Sequence, residues 1–188
     1  MNDLIEHVEK YIDGVLVREA GYVDHPNDKG GKTNWGITEF VARAFGYEGH
    51  MRDLPKETAR RIYRERYWLQ PRLDKVHELS AMLAEKLLDI GVNMGQSRAI
   101  SFMQRSLNVL NLQGKLYPDM KVDGSIGNVT LLALKTYLQR RSKLGELTLW
   151  RMVNGMQSVA YVEFAEAKPS QEYFEFGWQA QRVQGAPE

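Results

Sequence analysis

The apolar residues at the start of the chain fall at Leu4, Ile5, Val8, Ile12 and Val15. Steps of three and four put them on one face of a helix. Gly21 is placed to end that helix, so the spacing predicts helix to about residue 20. The pattern then fails. Residues 21–37 hold Gly21, Pro26, Asn27, Asp28, Gly30, Gly31 and Gly36, a density of turn formers that excludes a long helix and leaves a compact loop region with two or three short strands.

Helical spacing returns afterwards. Thr38 is an N-cap for EFVARAFG, and Pro55 and Pro71 bracket a helix in KETARRIYRERYWLQ. Ser80 opens AMLAEKLLDIGVNMG, where Met82, Leu83, Leu87 and Ile90 keep step before Gly95. Ser97 is placed to cap a further helix carrying Ile100, Met103, Leu107 and Leu110, and these two helices are the expected core pair. A polar loop over 111–124 ends in Asp123-Gly124, and Ser125 with VTLLALKTYL starts the next helix. Another is expected from about Thr148 to Ala167, broken at Pro169-Ser170. In EYFEFGWQAQRV the rings of Tyr173, Phe176 and Trp178 are expected to seal a core, with QGAPE as a frayed tail. No fixed-period repeat, low-complexity tract or linker interrupts this mainly α pattern.

Composition changes the picture mostly by exclusion. The 188 residues are 43% hydrophobic and 26% charged, enough for one ordinary domain or two small ones without covalent staples. Basic residues number 25 against 24 acidic, so no long-range field favours nucleic acid or an acidic membrane. The absence of cysteine removes disulfides, thiolate metal sites and cysteine nucleophiles. The opening MNDLIEHVEKYIDG is acidic and amphipathic where a secretory signal needs a basic start and an unbroken apolar run. No stretch of about 18 apolar residues offers a membrane span. The cluster Arg60, Arg61, Arg64 and Arg66 with Tyr63, Tyr67 and Trp68 is diluted by Glu57 and Glu65. It reads as a solvated helical face with the rings packed inward. His25 has no second ligand at metal-binding spacing, and Asp89 with Asn93 reads as a satisfied polar pair.

One glutamate stands out. Extending the first helix's face by its own steps, 5, 8, 12, 15, leads to Glu19. A carboxyl there is partly desolvated, which favours its protonated form and suits it to donate a proton to a leaving oxygen. The alternative is a solvated charge in a last helical turn. An acid at a helix C-terminus faces an unfavourable dipole, and a second acid, Asp28, follows in a loop whose Gly30-Gly31 admits close approach of a ligand. Two carboxylates in unlike settings form the arrangement that separates an acid from an ionised partner. Asp28 also fits a turn residue bonded to its own backbone. Tyr22 and Trp35 fit either sugar stacking or core packing, and Asn34 either an acetamido contact or a turn.

Glu19-Ala20-Gly21-Tyr22 followed by Asp28-Lys29-Gly30-Gly31-Lys32-Thr33-Asn34-Trp35-Gly36-Ile37-Thr38 resembles the signature of the glycoside hydrolase family 108 N-acetylmuramidases, found among phage endolysins and bacterial muramidases. The spacing Glu19, Asp28, Thr33 is also similar to the Glu, Asp, Thr set of phage-type lysozymes, with one residue fewer before the threonine. YRERYW, DIGVNMG, DGSIG with Thr130, and FGW resemble the rest of the family, including its peptidoglycan-binding part. Ala20 stands where the family usually has glycine, and Asn128 where proline is common.

The resemblance implies a lysozyme-like helical fold with a small loop and β-hairpin lobe near the N-terminus, a cleft between lobes, and cleavage of the β-1,4 bond between N-acetylmuramic acid and N-acetylglucosamine. Glu19 matches the catalytic acid, Asp28 and Thr33 the groups that place water or stabilise charge, and Tyr22, Asn34 and Trp35 substrate contacts. It implies a catalytic region over 1–92, a peptidoglycan-binding-like region over 93–183 packed into the same globule, and a tail at 184–188. No metal or cofactor, no nucleic acid and no stable membrane association are expected. The partner is bacterial peptidoglycan, reached by a monomer made in the cytoplasm and released through a holin or an exporter. The rivals are a lytic transglycosylase, a non-catalytic peptidoglycan binder and, more distantly, a helical DNA-binding protein.

Overall fold

The structure, a computed structural model, describes residues 2–18, 21–23, 32–183 and 185. The chain divides after Gln70 into two units.

The first unit opens with α1 (Asn2–Arg18), whose Val8, Ile12, Val15 and Leu16 are buried along the expected stripe. A three-stranded antiparallel sheet in the order β1 (Tyr22–Val23), β2 (Thr33–Asn34), β3 (Ile37–Thr38) follows. Thr38 caps α2 (Glu39–Ala44), its Oγ1 accepting from the Val41 N–H. A 3-10 turn at Met51–Asp53 leads to α3 (Lys56–Tyr63), which starts after Pro55 as expected.

The residues after α3 do not continue as α-helix. Arg64–Leu69 form a π-helical turn with i→i+5 hydrogen bonding. Tyr63 and Trp68 are both buried, and Tyr67 stacks on Tyr63 with ring centres 5.0 Å apart. Arg60 grips Asp13 of α1 with a forked pair, Nε to Oδ1 at 2.8 Å and Nη2 to Oδ2 at 2.6 Å, and Lys56 adds a contact at 3.3 Å. The Arg60 hydrogen bond, ahead of that from Lys56, holds the Asp13 carboxyl below its usual range against the desolvation that opposes it. Arg64 pairs with Glu9. Two arginines of the basic cluster therefore tie α3 and the π turn to α1.

The second unit contains α4 (Leu73–His77), α5 (Ala81–Met94), α6 (Gln96–Leu110), α7 (Asn128–Ala167) and α8 (Glu172–Arg182). The Ser80 hydroxyl accepts from the Leu83 N–H to cap α5, and Leu83, Leu87, Leu88 and Ile90 of α5 are among the most buried side chains. The expected pair α5 and α6 does form the centre, with α7 packed on both.

Several expectations need correction. Gly95 (φ +92°), not Ser97, is the N-cap of α6; a single glycine ends one helix and begins the next. Gly127, not Ser125, precedes α7. The two helices expected over this span are both present within α7, but the break between them is a kink at Ser142 (φ 52°, ψ −151°), so the second starts a few residues before Thr148. Gly145 gives space just after the kink: a Cβ on it would lie 2.1 Å from Arg141 Cβ. Tyr173 and Phe176 do not seal a core, being 94% and 84% exposed. Of the three rings only Trp178 packs inward, stacked 5.0 Å from Tyr161. Asn93 donates to the Asp89 carbonyl, while the Asp89 carboxylate takes Gln157 and Arg182. Of the QGAPE tail only Gly185 lies within the described residues.

Lys86 is buried, its Nζ donating to the Arg182 carbonyl at 2.9 Å and lying 5.1 Å from the Trp150 ring. Desolvation lowers its pKa to about 8, against the opposing pull of Asp89. The folded state therefore releases this proton before the unfolded chain does. Stability is expected to rise from pH 8 to 10, where the unfolded chain still holds the extra proton. Above that range Tyr117, pushed up to about 12 by burial, acts in the opposite direction. Urea unfolding across this range should show the rise, and Lys86→Met should flatten it.

Candidate active site

Of the residues that carry the sequence signature, Tyr22 and those from Thr33 to Thr38 form the sheet of the first unit. Trp35 and Gly36 make the two-residue turn between β2 and β3, with φ of 54° and 70°. Two positive φ values define the type I′ turn that matches strand twist. Gly36 adopts this freely, whereas a tryptophan does so only when its surroundings hold it. Two hydrogen bonds supply that hold: the Trp35 indole N–H donates to the Leu54 carbonyl at 3.0 Å, and the Tyr63 hydroxyl donates to the Trp35 carbonyl at 3.0 Å. The buried ring on α3 thus fixes the hairpin tip. Tyr63→Phe is expected to lower stability by about 1 kcal/mol, read as a shifted urea midpoint.

Asn34 is 6% exposed and donates from Nδ2 to the carbonyls of Met51 at 2.8 Å and Arg52 at 3.1 Å. These bonds tie β2 to the 3-10 turn. The register sets Tyr22 opposite Asn34 and Val23 opposite Thr33, with paired Cα atoms about 5 Å apart. Thr33 is thereby brought against the strand that begins three residues after Glu19 in sequence. Tyr22 is half-buried, with the Arg52 guanidinium 4.9 Å from its ring centre and the His50 ring at 6.1 Å. Trp35 is also half-buried. Glu19, Asp28, Ala20, His25 and the Gly30-Gly31 pair lie outside the described residues.

Sequence reasoning did not single out His50 and Arg52. They reach Tyr22 only because Asn34 pulls their turn against the sheet, a contact across 18 residues that no local period announces. His50 Nδ1 accepts from the Arg52 N–H at 3.2 Å, which orients the pair. Among the described residues no cluster of histidine and carboxylate side chains could hold a metal ion, and no helix is long and apolar enough to cross a membrane.

Comparison with known proteins gives this hairpin its context. Residues 12–95 match the family model described as glycosyl hydrolase 108, and residues 98–183 match that described as "Predicted Peptidoglycan domain". The first match runs beyond the first unit to take in α4 and α5. A glycoside hydrolase region followed by a peptidoglycan domain defines a peptidoglycan hydrolase. The region over residues 12–95 is similar to the glycosyl hydrolase 108 family. The chain is similar to a solved structure of SagA from Brucella abortus, at 26% identity and a TM-score of 0.62, covering 93% of this chain and 88% of that one. None of the curated proteins compared matches it.

Proposed function

We propose that the protein is an N-acetylmuramidase that hydrolyses the β-1,4 bond between N-acetylmuramic acid and N-acetylglucosamine, and that it serves as an endolysin. The observation that carries the reading is the β1–β2 register, which holds Thr33 beside the strand following Glu19 within a region matched by a glycoside hydrolase family. Glu19 is the general acid. Its carboxyl proton passes to the bridging oxygen as the bond from that oxygen to the muramyl C1 breaks, leaving positive charge shared over the ring. Asp28 stabilises that charge or takes the proton of the attacking water, and Thr33 positions this water. Tyr22 and Trp35 offer ring faces to the sugars. Asn34 contributes by holding the hairpin, and its acetamido contact rests on whatever capacity its carbonyl retains.

The helical segment Asn2–Arg18 packs into the first unit, with Ile12 and Leu16 fully buried. We place synthesis in the cytoplasm and access to the wall through a holin-like lesion or an exporter.

Mass spectrometry of wall digested by the purified chain tests the chemistry. Hydrolysis at muramic acid leaves a reducing muramyl end carrying the added water. A lytic transglycosylase leaves an anhydro end lighter by one water, and a glucosaminidase leaves reducing glucosamine. Either of those products in place of reducing muramyl ends would overturn the assignment.

A further inference from the structure

The second unit carries a groove that hydrolysis leaves unused. On α7, Met152, Met156 and Ala160 follow one another at steps of four, and Phe102 of α6 closes the facing wall around a space of about 380 Å³. Phe102 and Ala160 are buried beneath it, while Val159 stands 57% exposed at its edge. This is within the size range of small-ligand sites. Two exposed charges line the same space, Arg105 from α6 and Glu163 from α7. Among the described residues neither forms an ion pair or a side-chain hydrogen bond. Arg98 lies over the Phe164 ring at 4.6 Å, which sets Glu163 near the level of Arg98. Arg105 is seven residues further along α6, an axial offset of about 10 Å between the two backbone positions.

An occupant must therefore bring small apolar groups to the floor, an anion to Arg105 and a cation to Glu163. The glycan of peptidoglycan does not fit this description: sugar faces are uncharged and call for exposed ring platforms and amide partners, which this floor lacks. The peptide stem fits. It carries alanine methyl groups, a terminal carboxylate and, when uncross-linked, a diamino acid with a free ammonium on an alkyl arm. We propose that the groove between α6 and α7 binds the uncross-linked peptide stem, with Arg105 on the terminal carboxylate and Glu163 on the free ammonium. This rests on peptidoglycan being the polymer the protein acts upon, and it assigns the second unit the task of reading the peptide.

Gly155 supplies the test. It lines the groove, has helical geometry, and a Cβ built on it meets nothing within 4 Å. Gly155→Leu therefore has room for its Cβ and sends the rest of its side chain into the groove, and leucine is the better helix former. The probe is the tetrapeptide L-alanyl-γ-D-glutamyl-L-lysyl-D-alanine, labelled at its N-terminus and followed by fluorescence anisotropy with the full chain. Saturable binding is expected, weakened at least tenfold by Gly155→Leu and several-fold by Arg105→Ala. Acetylating the lysine amine should weaken binding to the natural chain but not to Glu163→Gln. Absence of binding, unchanged binding by Gly155→Leu, or displacement of the probe by a chitooligosaccharide would each overturn the proposal. The same preparations are assayed for release of reducing ends from purified wall. Hydrolysis without peptide binding sinks the groove assignment alone, and peptide binding without hydrolysis sinks the enzymatic reading alone.

Discussion

Glu19→Gln is expected to reduce clearing of purified peptidoglycan by about 10²–10⁴-fold, the range that a positioned general acid contributes. The amide keeps the size and the hydrogen-bonding shape of the acid but cannot release a proton to the departing oxygen. Sedimentation of the variant with wall should persist, because the contacts proposed for Tyr22, Trp35 and the second unit do not involve that proton. Thermal unfolding should be almost unaltered, since α1 is anchored through Ile12, Leu16 and the Asp13–Arg60 pair. Clearing within about threefold of the unsubstituted chain would remove Glu19 from the mechanism and with it the muramidase assignment. Loss of clearing together with loss of the thermal transition would make residue 19 a structural one, a result that Glu19→Asp checks by restoring the charge without restoring the reach.

Where local chemistry decides, the sequence was readable. The stripe Val8, Ile12, Val15 became the buried face of α1, and the hydroxyls of Thr38 and Ser80 cap the helices they precede. The glycine-rich region holds a small sheet. These features depend on neighbours three or four residues away, which a periodic pattern records. The errors arose where partners are remote. Nothing local marks Arg64–Leu69 as a π turn, because the gain comes from setting both Tyr63 and Trp68 into the core. The break in α7 at Ser142 carries no glycine or proline to announce it, and the space needed at Gly145 is set by Arg141 across that irregular residue. Ring area alone does not say whether Tyr173 and Phe176 face in or out, and on α8 it is Trp178 that meets Tyr161. In the candidate site, the signature from Tyr22 to Thr38 was legible as turn chemistry. The placement of Arg52 over Tyr22 was not, since it passes through the Asn34 amide and a turn 17 residues downstream.

Gly124→Ala is the substitution expected to damage the fold most. Gly124 sits at φ +70°, and a Cβ there would lie 2.0 Å from Ser97 Oγ and 2.7 Å from the Ser97 carbonyl oxygen. The hydroxyl can rotate away, but the carbonyl belongs to the first turn of α6 and cannot. The Gly124 N–H donates to Gln104 Oε1 at 2.9 Å, and the Nε2 of the same buried amide lies within 3.1 Å of Asp123 Oδ1, the Ser125 carbonyl and Thr130 Oγ1. A shift of residue 124 therefore strains a hydrogen-bonded centre joining α6, the loop and α7. Left-handed backbone costs a non-glycine residue about 1–2 kcal/mol, and overpacking adds about 1–3 kcal/mol. A loss on the order of 3 kcal/mol is a large share of a typical domain's stability, and corresponds to a fall in Tm of about 10 °C for a chain of this size. Adding Ser97→Gly should recover only the part due to the hydroxyl. A Tm unchanged by Gly124→Ala would mean that the DGSIG segment tolerates a side chain at its tightest point. Its resemblance to a family motif would then need another explanation than the packing of this loop against Gln104 and Ser97.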